Sequence, residues 1–118
     1  MKKLQKSSKM ATQKILIYIT APTMDEASFL AEELVLSRLV ASVNIIPGMK
    51  SIYWWSGSSH HTEEVVLLAK TRKFLFETIK KKVISMHSYK CPCIISFNID
   101  DGYEHFLSWI EEETIDHY

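Results

Sequence analysis

The feature that most constrains this chain is a run of fourteen strand-forming residues, Ser42 to Trp55, reading SVNIIPGMKSIYWW. Pro47-Gly48 interrupts it. Proline cannot donate to a strand ladder and glycine permits a bulge, so the run reads as a kinked strand or two collinear ones. Ser56-Gly-Ser-Ser59 supplies a turn, and Glu64-Val-Val-Leu-Leu-Ala-Lys70 returns as a buried strand, which makes a long hairpin. Fourteen extended residues span about 46 Å. A compact chain of this size has a diameter of about 35 Å. Part of the hairpin is therefore expected to overhang its own domain, with Tyr53, Trp54 and Trp55 near the tip. Exposed aromatics on a projecting arm favour aggregation unless another subunit covers them, so the expectation is an oligomer. The alternative is an arm that folds back over its own core.

The rest of the chain supplies partners for this hairpin. Ile15 to Thr20 is a short apolar run rich in β-branched residues, a central strand that Ala21-Pro22 stops. Thr23-Met-Asp-Glu26 has the spacing of a capping box, and Ala27, Leu30, Ala31 and Leu34 then share one helical face. That helix is expected to end near Arg38 or Leu39. Lys73 to Met86 reads as a second helix, with Phe76, Ile79, Val83 and Met86 inward and Lys80, Lys81 and Lys82 in solvent. Ile95, Phe97 and Ile99 alternate with polar residues as a half-buried strand. Asp101-Gly-Tyr-Glu104 repeats the capping spacing before a last helix with Tyr103, Phe106, Leu107 and Ile110 on one face and Trp109 beside it. The order β-α-β-β-α-β plus a terminal helix predicts an α+β, ferredoxin-like sandwich: a four-stranded antiparallel sheet with two helices on one face. Residues 14–118 form one domain in this reading, preceded by a lysine-rich mobile tail over residues 1–13.

Lys plus Arg equals Asp plus Glu at 14 each, which argues against a nucleic-acid or membrane-surface binder driven by bulk charge. No apolar run approaches a membrane span, and no apolar stretch follows the N-terminal lysines, so a cytoplasmic protein is expected.

Candidate chemistry concentrates in His87-Ser-Tyr-Lys-Cys-Pro-Cys93, which holds both cysteines of the chain. On an extended segment Cys91 and Cys93 project to one face with Cα atoms about 6.6 Å apart. Two thiolates at this spacing fit one soft ion, and sulfur ligands suit Cu(I). His87 joins the same ion only if the loop folds back. Both cysteines could equally be small buried hydrophobes, or close a reversible disulfide. His60 and His61 read as solvated loop residues, since neighbours on a strand point to opposite faces. Lys70 reads as a buried or snorkelling cation. No phosphate loop, nucleophile elbow or close carboxylate pair is present, so an enzyme is not expected.

Val40-Ala-Ser-Val-Asn-Ile-Ile-Pro-Gly48, Ser51-Ile-Tyr-Trp-Trp55, Lys70-Thr71, His87-Ser-Tyr89 and Tyr103 with Trp109-Ile110 together resemble the CutA family of divalent-ion tolerance proteins. The resemblance runs from about Ile15 to Glu113. It implies a ferredoxin-like fold, a homotrimer built through the long hairpins, binding of copper or another divalent metal ion, and no established reaction. It also implies an inter-subunit cleft at Trp55, Lys70, His87, Tyr89, Pro92 and Trp109, with Tyr53 and Trp54 at the trimer interface. The family trimer is similar to that of PII signalling proteins, which suggests a regulatory alternative. Two departures stand out. Ser42 replaces a cysteine linked to copper in many members, and Cys93 replaces a glutamate. The leading expectation is a small trimer that binds copper or other divalent ions through His87, Cys91 and Cys93. A regulatory cleft for a small anion or metabolite, and a scaffold for a partner protein, are the competing readings.

Overall fold

A computed structural model describes residues 12–116. The expected tail falls outside them, apart from Thr12 and Gln13, and the Gln13 carbonyl accepts a hydrogen bond from the Lys73 N–H at 2.7 Å.

Strand β1 (Lys14–Ala21) is followed by helix α1 (Met24–Leu36), the long strands β2 (Ser42–Trp55) and β3 (Ser58–Arg72), a 3-10 turn (Lys73–Leu75), helix α2 (Phe76–Met86), strand β4 (Ile94–Asn98) and helix α3 (Glu104–Glu113). The sheet is antiparallel with order β2-β3-β1-β4. This is the ferredoxin-like sandwich expected from the element order. Ile15, Ile17 and Ile19 of β1 alternate inward and meet Ala27, Leu30, Ala31 and Leu34 of α1 and Ile79 and Val83 of α2 in one core.

β1 pairs with β3 only from Arg72 to Val65. Beyond that point β2 and β3 pair with each other alone, as far as Trp55 and Ser58. The overhang inferred from chain length is this two-stranded arm, and the longest dimension of the molecule is 54 Å against 27 and 26 Å. The register slips between Ile46 and Met49, where Pro47 and Gly48 stand opposite Val65. Gly48 has φ +76°, which L side chains rarely adopt, so the bulge depends on it.

Several local expectations are corrected. The turn is tighter than Ser56–Ser59: Ser56 and Gly57 both have positive φ, the requirement of a two-residue hairpin turn, and the ladder resumes at Ser58. His60 and His61 therefore lie on a strand rather than in a loop. The His60 ring stacks on Tyr53 with centroids 5.7 Å apart. Helix α1 ends at Leu36, with Arg38 in left-handed geometry at φ 59°. Asp101 does not cap α3; its carboxylate accepts from the Gly102 N–H at 2.8 Å, one residue away, and the helix starts at Glu104 without a side-chain cap. Of the face expected to be buried on α3, only Ile110 is fully covered, while Tyr103, Phe106 and Trp109 are exposed. Ile95 and Phe97 likewise point away from α1 and α2 and are about half exposed. Apolar periodicity marks which residues share a face and says nothing about whether the same chain covers that face.

Candidate functional site

The loop of residues 87–93 leaves α2 and enters β4 beside the base of the arm. His87 anchors it. Its side chain is 0% exposed, and Nε2 lies 2.7 Å from the Thr20 carbonyl. Nδ1 accepts the Tyr89 N–H at 3.1 Å, so the hydrogen-bond geometry assigns the proton to Nε2. Both ring nitrogens are thus committed to holding the loop on the end of β1. Glu26 helps. Thr23 accepts the Glu26 N–H as an N-cap should, but the Glu26 carboxylate turns away from its half of the capping box. It accepts the Ser88 N–H at 3.0 Å and lies 3.4 Å from His87 Nδ1.

Beyond this anchor a cleft of about 590 Å³ opens, lined by Tyr53 and Trp55 of the arm, Glu64 of β3, and Tyr89, Cys91 and Cys93 of the loop. On the arm, Met49, Tyr53 and Trp55 share a face with Glu64, whereas Ile52 and Trp54 point the other way. The Glu64 carboxylate is buried and accepts the Tyr89 hydroxyl at 2.8 Å. Burial, that hydrogen bond and the Glu64 charge together push the Tyr89 phenol well above its ordinary range. Tyr18, whose hydroxyl donates to Met49 Sδ at 3.4 Å, is also raised by burial and by Cys93 and Glu64 nearby.

Cys91 is exposed and Cys93 half-buried, and both are free thiols. Burial, with smaller contributions from Glu64 and Cys91, raises the Cys93 thiol above its usual range. The thiolate is the nucleophile, so this shift lowers the reactive fraction at neutral pH. Iodoacetamide at pH 7 is therefore expected to modify Cys91 first, with Cys93 catching up as the pH is raised. Peptide mass mapping over a time course checks the order; equal rates at pH 7 would contradict it.

The structure brings together part of the expected site. Trp55, Tyr89, Cys91 and Cys93 line one cleft. His87 does not join the thiols, because its nitrogens are already bonded. Lys70 lies six residues along β3 from Glu64, a distance of about 20 Å on a strand. There its ammonium donates to Asn44 and burial lowers its pKa. Trp109 sits on α3, outside the cleft lining. Ser42 pairs with Lys70 and so lies as far along the sheet from Glu64. Tyr53 faces the cleft, and Trp54, on the opposite side of the arm, is 77% exposed. Among the described residues no group of three or more His, Cys, Asp or Glu is arranged around one ion. A closed divalent site does not fit the residues of a single chain, whereas two sulfurs suit a soft ion of low coordination number. The residues that sequence reasoning missed are Glu64 and Glu26. Glu64 opens the apolar run of β3 in phase with Val66 and Leu68, a position easily taken for a strand boundary.

The family model for the CutA1 divalent ion tolerance protein matches residues 15–113. The chain belongs to the CutA1 family. It is 43% identical over 96 residues to the divalent-cation tolerance protein CutA of Archaeoglobus fulgidus, covering 81% of this chain and 93% of that one. It is 34% identical to the chloroplastic protein CutA of Arabidopsis thaliana, over 95% of this chain and 61% of that one. The crystal structure of CutA1 from Oryza sativa superposes with a TM-score of 0.87 at 32% identity, over 89% of this chain and 96% of that one. CutA1 names denote tolerance of divalent cations, and that role is the one the family supports. Among the described residues no helix is long and apolar enough to cross a membrane.

Proposed function

We propose that the chain is a cytoplasmic homotrimer that takes up copper as cargo in metal-ion tolerance, with Cys91 and Cys93 as the sulfur ligands and without enzymatic turnover. One observation carries the reading: two free thiols line the same cleft. The loop holds them there through His87, whose role is to position rather than to ligate. The trimer is supported by the apolar surface that one chain leaves open, which includes Ile52 and Trp54 on the arm and Ile95 and Phe97 on the sheet. In that assembly Lys70 and Trp109 of one chain would reach the cleft of a neighbour. Residues 14–118 act as one domain in this reading.

Two measurements test it. Sedimentation equilibrium is expected to give three chain masses. Competition against a chromophoric Cu(I) chelator is expected to show one Cu(I) per chain. A monomer would overturn the assembly, and failure to draw Cu(I) from the chelator would overturn the cargo. The small-anion alternative for the cleft is disfavoured by the buried Glu64 carboxylate on its wall.

A further inference from the structure

The chain has two cysteines, so each thiol has one possible sulfur partner within its own chain. Both are free, and both line the same cleft. They stand two residues apart. Extended backbone sets their Cα atoms about 6.6 Å apart and any bend brings them closer, which lies within the span that a disulfide bridges. The loop is pinned on either side of them. The Tyr89 N–H bonds to His87 Nδ1 and the Ser88 N–H to Glu26, while Ile94 pairs with Ile19 of β1. Pro92, between the thiols, has no N–H, so closing a bridge across it breaks no hydrogen bond from that residue. Because both sulfurs belong to one loop, assembly changes how fast they react and not what they react with. A neighbour's Lys70 ammonium in the cleft would favour the thiolates and speed their exchange.

A bridge here would not be a staple. Closing so short a loop removes little entropy from the unfolded chain, so it adds little to folding stability. Strained or accessible bridges are also the easily reduced ones. Those are the properties of a switch. We infer that Cys91 and Cys93 form a reversible disulfide, and that closing it shuts the copper site. The oxidant is a low-molecular-weight disulfide such as glutathione disulfide. The Cys91 thiolate attacks one of its sulfurs, the S–S bond breaks and one glutathione thiolate leaves. The Cys93 thiolate then attacks Cys91 Sγ, the mixed disulfide breaks and the second glutathione thiolate leaves. Two electrons pass from the protein to the oxidant, and the two cysteine protons end on the two glutathione thiols. The order follows exposure, since Cys91 is exposed and Cys93 half-buried. The oxidised loop has no thiolate left for Cu(I). The disulfide stands without the copper reading; its effect on the metal rests on that reading.

The test equilibrates the metal-free full chain, without oxygen, in glutathione buffers from fully reduced to fully oxidised. Free thiols are trapped with N-ethylmaleimide and the intact chain is weighed. Two adducts per chain are expected at the reduced end and none at the oxidised end, with no link between chains and full return after dithiothreitol. Cys93→Ser lacks the resolving thiol and is expected to hold one glutathione on Cys91. Competition against the chromophoric chelator then reads the metal. The oxidised chain is expected to lose Cu(I) affinity by on the order of a thousandfold relative to the reduced one. Two adducts in the fully oxidised buffer, a glutathione adduct that persists on the wild-type chain, or cross-linked chains would overturn the disulfide. Equal Cu(I) affinity in the two states would overturn the switch. A reduced chain that takes no Cu(I) overturns the copper reading, and with it the effect on the metal, while the adduct count still decides the disulfide.

Discussion

Replacing Cys91 and Cys93 together by serine is expected to lower Cu(I) affinity by on the order of a thousandfold, about 4 kcal/mol. The cause is ligand chemistry rather than structure. A serine hydroxyl is a hard donor that stays protonated at neutral pH, and Cu(I) prefers thiolate sulfur. Each single variant keeps one sulfur, but a two-coordinate ion needs both, so either one alone should lose most of the effect. The fold should barely notice. Cys91 is exposed and Cys93 half-buried. Serine is nearly the same size, and substitutions away from the core usually change stability by about 0.5 kcal/mol or less. Parallel urea titrations therefore separate loss of metal from loss of structure. A double variant that competes for Cu(I) as the wild type does would place the ion elsewhere.

Arg72→Met removes about 3 kcal/mol or more of folding stability. Arg72 closes β3 and is 3% exposed. Its Nε donates to Thr114 Oγ1 at 2.8 Å, and its Nη2 donates to the carbonyls of Thr114 and Ile115 at 3.0 and 2.6 Å. The guanidinium lies 5.0 Å from the Phe74 ring centre. These bonds tie the segment after α3 to the sheet, and the Ile115 N–H continues the seam by donating to the Arg38 carbonyl. Methionine matches the stem but leaves the Thr114 and Ile115 carbonyls without their donor. Each buried orphan costs about 1–3 kcal/mol. The Asp116 ion pair matters less, because that carboxylate is 84% exposed and screened by water. Asp116→Ala should therefore shift stability by no more than about 0.5 kcal/mol. Urea midpoints read by tryptophan emission compare the two variants. A small effect of Arg72→Met would mean that the C-terminal segment is held by its apolar contacts alone.

Much of this architecture could be read from residue patterns. The capping signal at Thr23 and the spacing of Ala27, Leu30, Ala31 and Leu34 are local, and local physics is what a sequence displays most directly. The arm followed from counting: too many extended residues for the diameter available. The site was harder, because its bonds join residues far apart in the chain. His87 reaches Thr20, 67 positions away, and Tyr89 reaches Glu64, 25 positions away. A histidine beside two cysteines suggests a ligand set in one dimension. In three, its nitrogens belong to a strand end and a loop amide. The charge of Glu64 was visible, but its burial was not, because burial depended on where the loop of residues 87–93 comes to rest.

The bulge at Pro47–Gly48 acts as a half-period phase shift in a repeating pattern. On the core side of it Asn44 and Ile46 share a face with Val66 and Leu68; beyond it that face passes to Met49, Tyr53 and Trp55. If the same residues paired one for one without the bulge, Ile52 and Trp54 would turn toward Glu64, and Tyr53 and Trp55 would turn outward. Regular pairing of the same residues would exchange the two surfaces of the arm while leaving its length almost intact. The lining of the cleft and the outer surface of the arm are therefore specified together by a single irregularity, and neither can change sides alone.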